Sequence, residues 1–123
     1  MKLNSFLMLA TIVAAVFGLA FLVAPSQLVA MYGVTLTPAT EVIGRIAGST
    51  ILAFAIVFWS ARNENGAEVL KAVMVAGFIG NGLDFLILLH ATATGLLNGL
   101  GWLQVLINGL LAAGFGYFAF GKR

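Results

Sequence analysis

Four long runs of apolar residues, separated by short polar segments, dominate the pattern along the chain. They predict four helices, over about residues 5–24, 38–61, 68–92 and 98–120. Each run has the roughly 20 residues that a helix needs to cross the hydrocarbon core of a bilayer. None alternates apolar with polar positions, as a strand of a membrane β-barrel does. The pattern therefore predicts an all-α integral membrane protein, an antiparallel bundle of four transmembrane helices.

Two proline positions limit the first two predicted helices. The first run ends at Pro25, and the second begins at Thr37-Pro38, where threonine suits the N-cap and proline the first helical position. Residues 25–32, between them, fit either a short helix at the membrane surface or an irregular loop, because short apolar runs are ambiguous. The first run also resembles a secretory signal. Its length of about 19 residues exceeds the roughly 7–15 of a typical signal core, so we expect it to be retained as a helix.

The composition supports a membrane protein. Of the 123 residues, 62% are hydrophobic and 8% are charged, whereas a soluble domain is about 45–50% apolar and about 25% charged. So few charges cannot cover a soluble globule, and so apolar a chain does not stay disordered. We expect a single domain over residues 1–123, embedded in the lipid bilayer.

The basic residues predict the orientation of the helices. Five of the six flank the N-terminus, the loop between the second and third helices, or the C-terminus: Lys2, Arg62, Lys71, Lys122 and Arg123. Because basic residues collect on the cytoplasmic side, both termini are predicted to be cytoplasmic. The net charge is only +2, and the basic residues are scattered, so we expect no nucleic-acid partner.

Glycines predict where helices approach each other closely. Gly44 and Gly48 have the GxxxG spacing on the second predicted helix, and Gly77 and Gly80 lie on the third. We expect them to pack helices within this chain. A seam between two copies of the chain is the alternative.

Six polar side chains fall in the outer half of the bilayer when depth is counted at about 1.5 Å per residue. They are Glu41, Arg45, Asn81, Asp84, Gln104 and Asn108. A lone charge at mid-bilayer costs at least ~2.5–3.5 kcal/mol, so Asp84 and Arg45 are expected to face inward and to meet partners. One interpretation is an ion pair that fixes the helix register. The other is a polar cavity for a small polar ligand or a proton.

The sequence predicts no catalytic residues, metal site or cofactor. There is no cysteine, the serines are dispersed along the helices, and one histidine with few carboxylates cannot build a metal site. His90 is the only histidine, and an axial ligand to a haem or a pigment is its more specific interpretation. A histidine at the membrane interface is the plainer one.

Short motifs carry a family resemblance. Pro25-Ser26-Gln27-Leu28 follows the first predicted helix, Tyr32-Gly33 comes soon after, and the next helix starts with Glu41, Arg45 and Gly48. In these motifs the chain resembles small, mostly uncharacterised four-helix bacterial inner-membrane proteins, including DoxX-like ones. The resemblance implies a fold and a bacterial inner membrane, and no activity.

Short loops, glycine-rich helix faces and the lack of a catalytic constellation favour a non-enzymatic protein. We expect an accessory or assembly subunit of a larger membrane complex, with a membrane-protein partner or as a homo-oligomer. One alternative is a small oligomeric transporter or channel that uses the polar residues. Another is a pigment- or haem-binding subunit that uses His90.

Overall fold

A computed structural model describes residues 1–121, and within that range the chain is helical, with no β-strand. Five helices follow one another: α1 (Leu3–Val23), α2 (Pro25–Ala30), α3 (Pro38–Ala61), α4 (Ala67–Ala93) and α5 (Gly101–Phe120). Of these, α1, α3, α4 and α5 are long and apolar enough to cross a membrane. The predicted all-α class is thereby confirmed, and each of the four predicted helices is present with the length and apolar composition that a membrane span needs. Lys122 and Arg123, which contribute to the predicted orientation, lie outside the described residues.

Local sequence explains where two of the helices begin. At α3, the Thr37 hydroxyl accepts from the Thr40 backbone N–H (3.2 Å), and the Thr40 hydroxyl accepts from the Thr37 N–H (2.8 Å), which makes a capping box. By contrast, α5 begins at Gly101 rather than at Asn98. The Asn98 side chain accepts from the Leu100 N–H (3.0 Å), and its carbonyl accepts from the Gly101 N–H (2.9 Å). Asn98 therefore forms a turn before the helix.

The segment that begins at Pro25 is the short helix α2 rather than an irregular loop, and its place at the membrane surface stays a prediction. Glycine ends both α2 and α4: Gly33 (φ +80°) and Gly95 (φ +83°) take the left-handed conformation that favours glycine. The residue after each glycine donates back to a helix carbonyl, as in a Schellman motif. These bonds join Val34 to Val29 (3.1 Å) and Leu96 to Ala91 (2.9 Å).

The chain divides into two compact units, Met1–Asn63 with α1, α2 and α3, and Glu64–Arg123 with α4 and α5. The predictions of a single domain and of an antiparallel four-helix bundle concern both units together, and they stay predictions.

In the first unit, α1 and α3 pack along each other. The Asn4 side chain donates to the Arg62 carbonyl (3.2 Å), which places the start of α1 beside the end of α3. A Cβ added at Gly18 would lie 2.8 Å from the backbone nitrogen of Leu52 and 3.1 Å from the Gly48 carbonyl oxygen. The two backbones therefore approach as closely as only glycine permits.

In the second unit, α4 and α5 pack through aromatic rings. The Phe115 ring is fully enclosed, with none of its surface exposed. A Cβ at Gly101 would lie 2.5 Å from the Thr92 hydroxyl oxygen, so the end of α4 is beside the start of α5. Towards the other end of the unit, the Phe78 and Phe120 rings meet edge to face, with their centroids 5.5 Å apart.

Candidate functional site

Arg45 is engaged within the first unit. One guanidinium nitrogen, Nη2, donates to the Glu41 carboxylate at 3.0 Å, the i,i+4 ion pair that the spacing indicates. The other, Nη1, donates to the Leu22 carbonyl oxygen at 2.6 Å. Because α1 ends at Val23, the Leu22 carbonyl belongs to the last turn, where unpaired carbonyls concentrate negative partial charge. Arg45 therefore pairs with Glu41 and also stabilises the end of α1.

Two asparagines in the second unit use their amide nitrogens on their own helices. Asn81 Nδ2 donates to the Gly77 carbonyl (2.9 Å), and Asn108 Nδ2 donates to the Gln104 carbonyl (3.0 Å). A carbonyl only accepts, so the atom facing it in each amide must be the nitrogen. Within the described part of this unit, neither amide oxygen has a hydrogen-bond donor, and both remain available as acceptors.

Asp84 and Asn108 lie at the same level on one edge of the α4–α5 pair. That edge is marked by Gly77 and Phe115, since a Cβ at Gly77 would lie 2.5 Å from the Phe115 ring. Residues seven apart share a helix face two turns along. Asp84 follows Gly77 by seven residues, and Asn108 precedes Phe115 by seven. Since α4 and α5 pass each other in opposite senses, both steps lead towards the same end of the unit.

We call this feature the polar edge and define it by four residues: Asn81, Asp84, Gln104 and Asn108. Asn81 lies about one turn before Asp84, and Gln104 about one turn before Asn108. The Asp84 side chain is exposed on the unit. No described residue of the second unit forms a hydrogen bond or an ion pair with its carboxylate. The predicted pairing of Asp84 with Arg45 stays a prediction.

The opposite edge of the same pair is apolar. A Cβ at Gly116 would lie 2.9 Å from the Phe78 ring, and one at Gly109 would lie 3.1 Å from the Phe85 ring. A shallow groove of about 350 Å³ opens there, with no residue of the polar edge in its wall. Its lining residues are Phe85, Trp102, Val105, Leu106, Gly109 and Leu110.

The four glycines predicted to pack helices differ in their surroundings. Gly48 and Gly77 lie in close contacts of their units, and a Cβ at Gly44 would lie 3.1 Å from the Pro25 Cβ. A Cβ at Gly80 would meet no described atom within 4 Å. Gly80 therefore does not pack within its helix pair, because three residues after Gly77 the helix has turned it outwards.

His90 lies near the end of α4, and its side chain is exposed. It follows Asp84 by six residues, a rotation of about 240° that places it away from the polar edge. The described residues contain no group of three or more histidine, aspartate or glutamate side chains that could hold a metal ion. A haem or pigment on His90 stays a prediction, which an absorption spectrum of the purified protein would test.

Sequence reasoning missed the aromatic partners of the glycines. Phe78 and Phe85 on α4 are seven residues apart, and so are Gly109 and Gly116 on α5. These matched spacings are the signal that predicts the contacts, once the two helices are taken to face each other. Thr92 was also missed: it is 7% exposed, and its hydroxyl has no hydrogen-bond partner among the described residues.

Comparisons of the chain with protein-family models, curated proteins and solved structures give no match. The resemblance to DoxX-like proteins therefore stays a prediction, and any functional proposal depends on the chain itself.

Proposed function

We propose that this chain is a non-enzymatic accessory or assembly subunit of a larger complex in a bacterial inner membrane. The observation that carries the proposal is Asp84, an exposed carboxyl group within an apolar helix, unpaired inside its own helix pair. A lone charge at such a depth costs at least ~2.5–3.5 kcal/mol. A group outside the pair that meets this carboxylate removes the cost, and a partner subunit supplies such a group.

The helix faces beside the polar edge suit contact with other helices. Ile87 is 65% exposed and Leu83 is 55% exposed, and both lie within one turn of Asp84. Small residues allow helices to associate in lipid, and Gly80, with open space around it, lies one turn before Asp84.

Native gel electrophoresis of membranes solubilised in a mild detergent tests the subunit proposal. We expect the wild-type chain to migrate with a complex much larger than its own 12.9 kDa. The Asp84→Asn variant should shift towards the free chain. Glu68→Gln is the matched control, since Glu68 lies in the first turn of α4, away from the polar edge. A wild-type chain that migrates alone would contradict the proposal.

The proposed topology has an antiparallel four-helix bundle with both termini in the cytoplasm. It is supported by the bias of the basic residues towards one side. Because the chain has no cysteine, single cysteines can report on each loop. We expect a membrane-impermeant maleimide to label Asn98→Cys from outside, and Asn65→Cys only after permeabilisation. The reverse labelling would contradict the orientation.

A small cation carrier is the second candidate function. The observation that favours it is the set of free acceptors on the polar edge, the Asp84 carboxylate and the amide oxygens of Asn81 and Asn108. Oxygen ligands of this kind suit a hard cation or a proton. Sodium or proton flux into proteoliposomes, with Asp84→Asn as the inactive variant, would support it. Flux no faster than in empty vesicles would exclude it.

A further inference from the structure

We propose that the polar edge docks one transmembrane helix of a partner protein that carries a lysine or an arginine within its apolar span. The partner's cation pairs with Asp84, and its backbone passes over Gly80. This inference rests on the proposed function, because it names the chemistry of the partner that the subunit recognises.

The balance of donors and acceptors on the polar edge favours a cation. The amide nitrogens of Asn81 and Asn108 are already bonded to helix carbonyls at 2.9 and 3.0 Å. Each amide keeps one further N–H, but together with Asp84 these residues offer four oxygen atoms, so acceptors outnumber donors. An ammonium or guanidinium group has only donors, and it brings the opposite charge. A cationic side chain therefore complements the polar edge in both respects.

The open space at Gly80 leaves room for a second helix. The buried glycines of this helix pair are filled from within: Gly77 by the Phe115 ring and Gly101 by the Thr92 side chain. Gly80 has no described atom within 4 Å of a Cβ position, and it precedes Asp84 by one turn. A small residue there lets a second backbone approach. Close approach brings a lysine or arginine on that helix within reach of Asp84.

Two of this chain's own cations, Lys71 and Arg45, are distant from Asp84 or bonded to other groups. Lys71 shares α4 with Asp84, but it lies about 20 Å away along the helix axis, at 1.5 Å per residue. Arg45 already donates to the Glu41 carboxylate and to the Leu22 carbonyl. We therefore assign the charge that balances Asp84 to another molecule, and the Arg45→Gln variant below tests the alternative of a pair within this chain.

The apolar surroundings of Asp84 favour a helix over a hydrated ion. The exposed neighbours of Asp84 on α4 are apolar, with Leu83 at 55% and Leu86 at 59% exposed. An occupant of this surface must itself be apolar around a single cation. A transmembrane helix with one lysine has that composition, whereas a hydrated ion would bring water into the hydrocarbon.

The test uses a synthetic probe rather than an unknown partner. A leucine–alanine transmembrane peptide with one central lysine is reconstituted with the full chain in phosphatidylcholine vesicles, and energy transfer between fluorescent labels measures binding. Peptides with leucine or aspartate in place of the lysine are the comparison. We expect the lysine peptide to bind about tenfold more tightly than the leucine peptide, as one strong polar contact between helices gives. The aspartate peptide should bind no better than the leucine peptide.

Variants of the chain assign the preference to the polar edge. Asp84→Asn should abolish the tenfold preference for lysine, and Asp84→Glu should retain it. Gly80→Leu should weaken binding of the lysine peptide severalfold by blocking the approach. Gly82→Leu is the matched control, because Gly82 is equally open but is turned away from Gly80 by about 160°. Circular dichroism checks that each variant keeps its helix content.

Three outcomes would overturn the inference. The first is equal binding of the lysine and leucine peptides. The second is a preference for lysine that appears only in the Arg45→Gln variant, which would assign Asp84 to this chain's own arginine. The third is association of two copies of the chain without peptide, which Gly80→Leu abolishes. The proposed function is judged separately by native electrophoresis. If the native complex persists in Asp84→Asn and the chain shows no preference for the lysine peptide, the subunit role is retained and this inference is removed. If the lysine peptide instead binds through Asp84 but the native chain migrates alone, the subunit role is removed and the polar edge remains a site for a cationic helix.

Discussion

The two helix pairs of this protein both use glycine for close packing, but they fill the space differently. Between α1 and α3, a Cβ at Gly48 would lie 2.6 Å from the backbone nitrogen of Leu22 and 2.8 Å from the Gly18 carbonyl oxygen. Between α4 and α5, the Cβ positions of Gly77 and Gly116 are approached by aromatic rings. A backbone cannot move aside without moving its helix, whereas a ring can rotate. The first pair should therefore tolerate substitution less than the second.

The two pairs also differ in how they treat charge. In the first, Arg45 binds the Glu41 carboxylate and the Leu22 carbonyl, so its charge stabilises the pair itself. In the second, Asp84 is left without a bonded partner inside its pair. The first charge is used for internal structure, whereas the second is the one to which the proposed function gives a role in recognition.

The largest expected effect is that of Gly48→Ala. Its methyl group must displace the α1 backbone, and such overpacking costs typically ~1–3 kcal/mol, with this contact at the upper end. The free energy of unfolding in detergent, titrated with dodecyl sulfate, measures the loss. Trp59 and Trp102 lie in different units, so removing one leaves a fluorescence reporter for the other unit. A loss below that of Gly116→Ala would contradict the comparison.

Gly77→Ala should have the next largest effect, about 2 kcal/mol, because the Phe115 ring it meets is fully enclosed. Gly116→Ala is the matched control. Its methyl group meets the Phe78 ring, which is 39% exposed and can swing away, so we expect a loss below about 1 kcal/mol. The double variant Gly77→Ala/Phe115→Leu should lose less unfolding free energy than the sum of the losses of the two single variants. Additive costs would show that the ring and the glycine are independent.

Arg45→Gln should destabilise the first unit by about 1.5 kcal/mol, since it removes charge-assisted hydrogen bonds to Glu41 and to the Leu22 carbonyl from a side chain that is partly exposed. Glu41→Gln should cost less, below about 0.5 kcal/mol, because an exposed i,i+4 ion pair contributes little. The same titration, followed through Trp59, measures both. Equal losses for the two variants would mean that the Leu22 carbonyl contributes nothing.

Local chemistry made much of the fold predictable. The threonine and proline that start α3 are adjacent in sequence, and each apolar run has the length of a membrane span, so neither prediction needs tertiary contacts. The start of α5 differed because Asn98 closes a turn with its own side chain. Spacing within α4 likewise predicts that Asn81 and Asp84 share a face.

What the sequence leaves open depends on the register between helices. Gly77 and Gly80 look equivalent along α4, yet only Gly77 faces a ring. The GxxxG spacing of Gly44 and Gly48 does not reveal that Gly18 is the partner, because Gly18 belongs to another helix. For the same reason, spacing alone does not place Asp84 level with Asn108.

Gly80→Ala should cause the smallest loss of stability, and the sign of its effect distinguishes packing from recognition. Nothing lies within 4 Å of the added methyl group, and alanine favours a helix over glycine by up to about 1 kcal/mol. The unfolding free energy should therefore stay level or rise, while Gly77→Ala on the same helix lowers it. If Gly80→Ala also weakens binding of the lysine peptide, the substitution impairs association with the peptide and leaves the stability of the fold intact. A loss of stability as large as that of Gly77→Ala would instead place Gly80 in the internal packing of the protein and remove the distinction between them.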